Sequence, residues 1–155
     1  MLPRVLRAVF GAPLTVPGLA HPTPDGSAIR DFVHVRDVAA AHVAAVRRLT
    51  STARGSAVYN VGTGHGCSVL ELIALTERVT GRPVQWTGGP ARPGDPSRSV
   101  ADPSLIAREL GWRARWDLSD ALASAWAARA AWASPDSPAD GLAVRGRSRQ
   151  PAAAG

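Results

Sequence analysis

The sequence predicts an α/β fold in which short strands alternate with helices and neighbouring strands run parallel. Three observations predict it. Segments with a two-residue apolar period, such as 29–35, alternate with segments of helical period. Glycine and proline punctuate the junctions between them. The strands number only three or four, too few for a self-sufficient doubly wound sheet, so the domain is expected to be incomplete and part of a larger one.

The elements follow in order. Residues 2–10 read as the end of a helix, with Val5, Leu6 and Val9 on its apolar face and Gly11 as its terminator. Leu14, Thr15 and Val16 form a short strand, and 18–27 is a loop carrying Pro22, Pro24 and Gly26. In 29–35, Ile29, Asp31, Val33 and Val35 share one strand face, and Arg30, Phe32 and His34 share the other. Asp37 is placed to cap a helix running to about Leu49, whose C-terminal end carries Arg47 and Arg48, where the helix dipole favours cations. Residues 57–61 read as a second apolar strand, followed by Gly62-Thr63-Gly64-His65-Gly66.

Ser68 with Glu71 three residues on is a capping box that opens the next helix; Gly81 and Pro83 close it. Val84-Gln85-Trp86 is a further strand, and 88–99 a loop rich in glycine, proline and arginine. Asp102 and Pro103 predict a capped helix start with a first-turn proline, ending at Leu110 before Gly111. The last helix spans 118 to about 132, with Leu118, Leu122, Ala125 and Trp132 on or near one face. Residues 1–133 are thus read as the folded part. From Ser134 onward the composition shifts to Pro, Ala, Gly, Ser and Arg, so 134–155 is expected to be a disordered tail.

Composition excludes several classes. Apolar residues make up 45% of the 155-residue chain, ordinary for a soluble domain. No apolar run approaches the ~20 residues of a membrane span, and no signal-peptide pattern is found. The single cysteine, Cys67, cannot form an internal disulfide, which fits a reducing, cytoplasmic compartment. The net charge is +6 and all 18 basic residues are arginine. Arginine suits phosphate recognition through its planar fork. Genome-wide arginine bias explains the same composition. The arginines are scattered over helices and loops without a basic stripe, which argues against nucleic-acid binding.

A few residues are candidates for chemistry. Arg30, at the entrance to a strand, either grips a diphosphate bidentately or pairs with Asp31 or another acid. In Arg92-Pro93-Gly94-Asp95-Pro96, Arg92 offers a phosphate donor and Asp95 an acceptor for sugar hydroxyls; the alternative is a surface turn. The 62–66 glycine loop either imitates a phosphate cradle, without the full dinucleotide fingerprint, or is a tight structural turn. His34 lacks a partner at metal-ligand spacing and fits a packed strand position. The tryptophans fit core or interface roles. Cys67 just before a helix start is either activated by the helix dipole or a buried structural thiol.

An ordered series of motifs runs through the chain. It comprises Leu2-Pro3, Pro22-Thr23-Pro24-Asp25-Gly26, Ile29-Arg30-Asp31-Phe32-Val33-His34-Val35, Tyr59-Asn60-Val61-Gly62-Thr63-Gly64, Ser68-Val69-Leu70-Glu71, Arg92-Pro93-Gly94-Asp95-Pro96, Ala101-Asp102-Pro103 and Leu110-Gly111-Trp112. This series resembles the UDP-glucose 4-epimerases, extended short-chain dehydrogenase/reductases of the NAD-dependent epimerase/dehydratase family. The resemblance covers roughly 1–132 and corresponds to the C-terminal, substrate-binding portion of a Rossmann-type fold. The Arg-Pro-Gly-Asp-Pro form favours epimerases over nucleotide-sugar dehydratases.

The resemblance implies a UDP-sugar ligand and UDP-glucose/UDP-galactose interconversion in galactose metabolism. In similar enzymes the arginine at the position of Arg30, with the loop pair at Arg92 and Asp95, contacts the diphosphate and ribose. The backbone at Thr15, Val16 and Pro17 lies near the uracil. Similar enzymes use bound NAD and a Tyr-x-x-x-Lys pair. The resemblance also implies either a homodimer or a complementary N-terminal half. The only tyrosine, Tyr59, is followed four residues later by Thr63, and no lysine occurs. The glycine-rich cofactor loop is expected upstream of Met1. Pro17 stands where the family often has Phe and cannot donate a backbone N–H. The expected protein therefore holds the nucleotide sugar without carrying out hydride chemistry alone. The alternative is a non-catalytic nucleotide-sugar-binding or partner-docking module.

Overall fold

The computed structural model describes residues 1–50 and 56–132, apart from the side chains of Ala130 and Trp132. The expected tail at 134–155, and the expected place of Trp132 on the last helix face, lie outside what is described. Five helices are present among the described residues: α1 (Leu2–Ala8), α2 (Val35–Thr50), α3 (Val69–Thr80), α4 (Ser104–Leu110) and α5 (Leu118–Trp132). Five short strands accompany them: β1 (Thr15–Pro17), β2 (Ile29–Arg30), β3 (Cys67–Ser68), β4 (Thr87–Gly89) and β5 (Arg98–Ser99).

The strands make two small sheets. β1 pairs in parallel with β4, with Val16 opposite Gly88. In the other sheet β2 lies between β3 and β5, antiparallel to β3 and parallel to β5. The expected parallel pairs are therefore present, with an antiparallel pair added. β3 arises because the chain leaving the 62–66 loop returns alongside Ile29 before Ser68 starts α3.

The main core joins α1, α3 and α5 beneath β1. Val5, Leu14, Val16, Leu72 and Leu122 are buried there, and Phe32 and Trp126 pack against them. A second cluster joins α2 to α4 through Ala41, Ile106 and Trp112, with Tyr59 and Val61 against it. The Trp112 indole N–H donates to the Asp37 carbonyl at 3.1 Å.

Several elements form for the reasons the sequence implies. Ser68 accepts from the Glu71 N–H at 3.0 Å, while Glu71 accepts from the Ser68 N–H at 2.7 Å, closing the capping box of α3. Gly81 ends α3 at φ +66°, a left-handed conformation that favours glycine.

Five local expectations are corrected. The strand expected over 29–35 ends at Arg30, because after the Asp31 N–H bonds to Ser99 the chain turns at His34 into α2. His34, not Asp37, caps that helix: its Nδ1 accepts from the Arg36 N–H at 3.0 Å. Asp37 sits inside the first turn and is 2% exposed. Residues 57–61 form no strand, since no neighbouring strand among the described residues supplies a hydrogen-bonding edge. The strand expected at 84–86 lies at Thr87–Gly89, because Val84 instead caps the α3 exit, its N–H donating to Glu77 at 2.9 Å. Asp102 precedes the cap position of α4, which Pro103 occupies; its carboxylate accepts from the Ser104 N–H at 2.9 Å.

Candidate functional site

Arg30 is the last residue of β2, so its backbone is fixed between β3 and β5. The guanidinium is anchored twice. Nη1 donates to the Ile29 carbonyl at 2.7 Å, and Nη2 donates to the Asp95 carboxylate at 2.5 Å. Both side chains remain about a quarter exposed, 24% for Arg30 and 27% for Asp95. Of the acids considered for Arg30, its partner is Asp95, across 65 residues of sequence, and not the adjacent Asp31.

Asp31 has another task. Its carboxylate accepts from the Thr63 N–H, the Gly64 N–H and the Thr63 hydroxyl at 2.6–3.0 Å. The 62–66 loop is thus a turn wrapped around a carboxylate, with the Thr63, Gly64 and His65 amides engaged within the protein. Gly62 is required by close approach, since a Cβ there would lie 2.6 Å from an Asp31 oxygen. Of the two readings of this loop, the structural turn holds.

Arg92 and Asp95 lie on one turn between β4 and β5. The Asp95 N–H donates to the Arg92 carbonyl at 3.1 Å, and Gly94 adopts φ +77°. The Arg92 side chain is exposed. The same turn thus carries an exposed arginine, Arg92, and the acid that pairs with Arg30. At the same loop's start, β1 comes close: the Gly18 N–H donates to the Gly89 carbonyl at 3.0 Å, and a Cβ on Gly18 would lie 3.2 Å from Ala91 Cβ. Thr15 is exposed, Val16 is fully buried and Pro17 is half-buried. The six residues expected to bind substrate therefore border one loop.

His21 was missed by sequence reading. Its Nε2 is buried and has no hydrogen-bond partner among the described residues, and it faces Gly18. Nothing in its spacing distinguishes it from a loop histidine. Asp25 is also more than a turn residue. It accepts from the Ser27 N–H at 2.9 Å, the Ser27 hydroxyl at 2.8 Å and the Ser68 hydroxyl. Burial works against its charge, but the bonds from Ser68 and Ser27 outweigh that and hold the carboxyl below its usual range.

Two candidates are structural. His34 is 4% exposed, and its Nε2 lies 3.0 Å from the Ser124 hydroxyl. Because Nδ1 accepts from Arg36, Nε2 is the ring nitrogen able to donate. The Cys67 thiol is pushed up to about 11, first by burial and then by the charges of Glu71 and Asp25. The helix dipole does not activate it. No group of three or more metal-ligating side chains occurs among the described residues, and no described helix is long and apolar enough to cross a membrane.

Residues 1–62 match the NAD dependent epimerase/dehydratase family. The Bacillus subtilis UDP-glucose 4-epimerase is 39% identical over 128 residues, 81% of this chain and 38% of that protein. A Pisum sativum UDP-glucose 4-epimerase is 43% identical over 114 residues, 73% of this chain and 33% of that protein. The family match is carried by residues 1–62, and the similarity to UDP-glucose 4-epimerases runs through most of the chain.

Solved structures agree on the fold. The Bifidobacterium longum UDP-glucose 4-epimerase, in complex with NAD+ and UDP, superposes with a TM-score of 0.76 at 39% identity, over 83% of this chain and 39% of that one. The Stenotrophomonas maltophila enzyme, with bound NAD and formylated UDP-arabinopyranose, also gives 0.76, at 44% identity over 84% and 40%. The architecture is that of the extended short-chain dehydrogenase/reductases. The chain spans little more than a third of the length of these relatives.

Proposed function

We propose that this chain is the nucleotide-sugar-binding portion of a UDP-hexose 4-epimerase. The observation that carries the reading is the Arg30–Asp95 pair, which joins the end of β2 to the loop that also bears Arg92. A guanidinium held by a strand and a carbonyl is preorganised for a bidentate phosphate contact. In the proposed complex the diphosphate takes the free N–H groups of Arg30 and is met by Arg92. Asp95 turns from Arg30 toward the ribose hydroxyls. The backbone at Thr15, Val16 and Pro17 borders the uracil.

NAD supplies hydride acceptance and return in the family, and the residues described here do not fit a dinucleotide site. The glycine loop that most resembles a phosphate cradle has its amides on Asp31. The hydroxyl of Tyr59 donates to Glu109 at 2.5 Å, which with its burial raises its proton affinity, and the chain has no lysine to pair with it. We therefore assign binding, and not turnover, to this polypeptide alone. The proposed setting is cytoplasmic.

Calorimetry with UDP and UDP-glucose tests the reading. Binding by the full chain that Arg30→Ala and Arg92→Ala both weaken is expected. Robust interconversion of UDP-glucose and UDP-galactose by the purified chain contradicts the division of labour.

A further inference from the structure

Four arginines that lie apart in sequence meet along one groove. Arg36 and Arg47 are on α2, Arg113 and Arg115 are on the segment that follows α4, and all four are exposed. Arg36, Ala40 and Arg47 fall at i, i+4 and i+11, so they share one flank of the helix. That flank and residues 110–116 enclose a groove of about 650 Å³, lined by Arg36, Arg113, Arg115 and Trp116. Over Ala40, Ala44 and Leu110 it runs on into a hollow of about 420 Å³ that reaches Arg47.

The walls of this groove are held by a buried acid. Asp37 accepts from the Arg115 and Trp116 N–H groups at 3.1 Å, and the Trp112 indole N–H donates to the Asp37 carbonyl at 3.1 Å. Among the described residues Asp37 is the one acid in the lining; it is 2% exposed and directs its carboxylate at those amides. The next acids along the chain, Asp117 and Asp120, bond to each other's N–H groups at the start of α5 and line neither hollow. No ion pair engages the guanidinium groups of Arg36, Arg47, Arg113 and Arg115 among the described residues. Their charge is locally uncompensated, and a concave wall of one sign concentrates anions.

The shape of the groove selects the kind of anion. Arg36 and Arg47 are about 16 Å apart along the helix axis, farther than one phosphate spans and the length of about five extended residues. Every second side chain of an extended segment faces the same way, about 7 Å apart, so acids at alternate positions can each reach a guanidinium. The Trp116 ring already carries the Arg36 guanidinium at 5.4 Å and meets the His34 ring at 5.3 Å, so it is not a free platform for a nucleobase. We propose that this groove docks a short, extended acidic segment of a partner protein, with its carboxylates on Arg36, Arg47, Arg113 and Arg115. Neither Arg30, Arg92 nor Asp95 lines it, so the inference is independent of the nucleotide-sugar reading.

Fluorescence anisotropy on the full chain tests it, with a short labelled peptide of alternating glutamate and serine as the probe. The peptide is expected to bind, more weakly as salt rises. Replacing its glutamates by glutamine is expected to weaken binding at least tenfold. Arg113→Gln with Arg115→Gln, and separately Arg36→Gln with Arg47→Gln, each weaken it at least tenfold. The thermal midpoint stays unchanged, because all four side chains are exposed. Arg7→Gln with Arg78→Gln removes the same charge from exposed positions on α1 and α3 and leaves the affinity within about twofold. The inference is overturned if the glutamate peptide does not bind at millimolar concentration, or if its glutamine version binds equally well. It is equally overturned if either groove pair behaves like the Arg7 and Arg78 pair. A short oligothymidylate that binds more tightly than the peptide, and is released by the groove substitutions, overturns it in favour of a nucleic acid.

Discussion

Asp31 and Asp37 direct their charge at backbone. Asp37 is almost wholly buried, and its carboxylate accepts from the Arg115 and Trp116 N–H groups at 3.1 Å. Removing it leaves those donors without partners inside the protein. Asp37→Ala is therefore expected to lower the unfolding free energy by roughly 2–4 kcal/mol, measured by urea denaturation. Asp31→Ala frees the amides of Thr63 and Gly64 and is expected to destabilise the same loop. Neither role is visible in sequence, where Asp37 reads as a cap and Asp31 as a partner for its neighbour. Both contacts span more than 30 residues, and local spacing carries no record of them. Cys67 behaves in a simpler way. Its thiol is raised from 9.0 to about 11, so the thiolate at pH 8 is roughly 100-fold scarcer than for an ordinary cysteine. Alkylation by iodoacetamide should be slowed accordingly. Because the folded state favours the neutral thiol, its contribution to stability is complete below pH 9.0 and is lost as pH rises toward about 11.

At the scale of elements, the helices were the most legible. The α3 capping box and the glycine at its end are local chemistry, and both appear as the residues imply. Ser68→Ala should cost about 1 kcal/mol of unfolding free energy through the lost cap, and more where the Asp25 contact is lost with it. Strands were less legible. A two-residue period marks 29–35 and 57–61 alike, but pairing needs a neighbour. At β2 it is supplied by β3 and β5 for two residues only, and at 57–61 it is not supplied among the described residues. The candidate site residues come from the motif series, and their meeting at one loop is not legible there. It depends on β1 pairing with β4, which brings Gly18 against Ala91, and on the turn that swings Asp95 onto Arg30.

At the scale of the molecule, the core and the site are carried by the same frame. Leu122 is fully buried at the centre of the main cluster. Leu122→Ala should lower stability by about 2–5 kcal/mol through lost burial and the cavity left behind, as read from urea denaturation. The Arg30–Asp95 pair rides on this frame, partly exposed, so its own contribution to folding is small. Under the proposed function, the pair holds a charged fork in place for the diphosphate of a UDP-sugar. The most direct test titrates UDP into the full chain and into Arg30→Ala by calorimetry. The account predicts binding by the wild type and a loss of roughly 10- to 100-fold in the variant, the effect of removing charge-assisted hydrogen bonds to the diphosphate. Equal affinity in the two proteins, or no heat from the folded wild type at millimolar UDP, would contradict it.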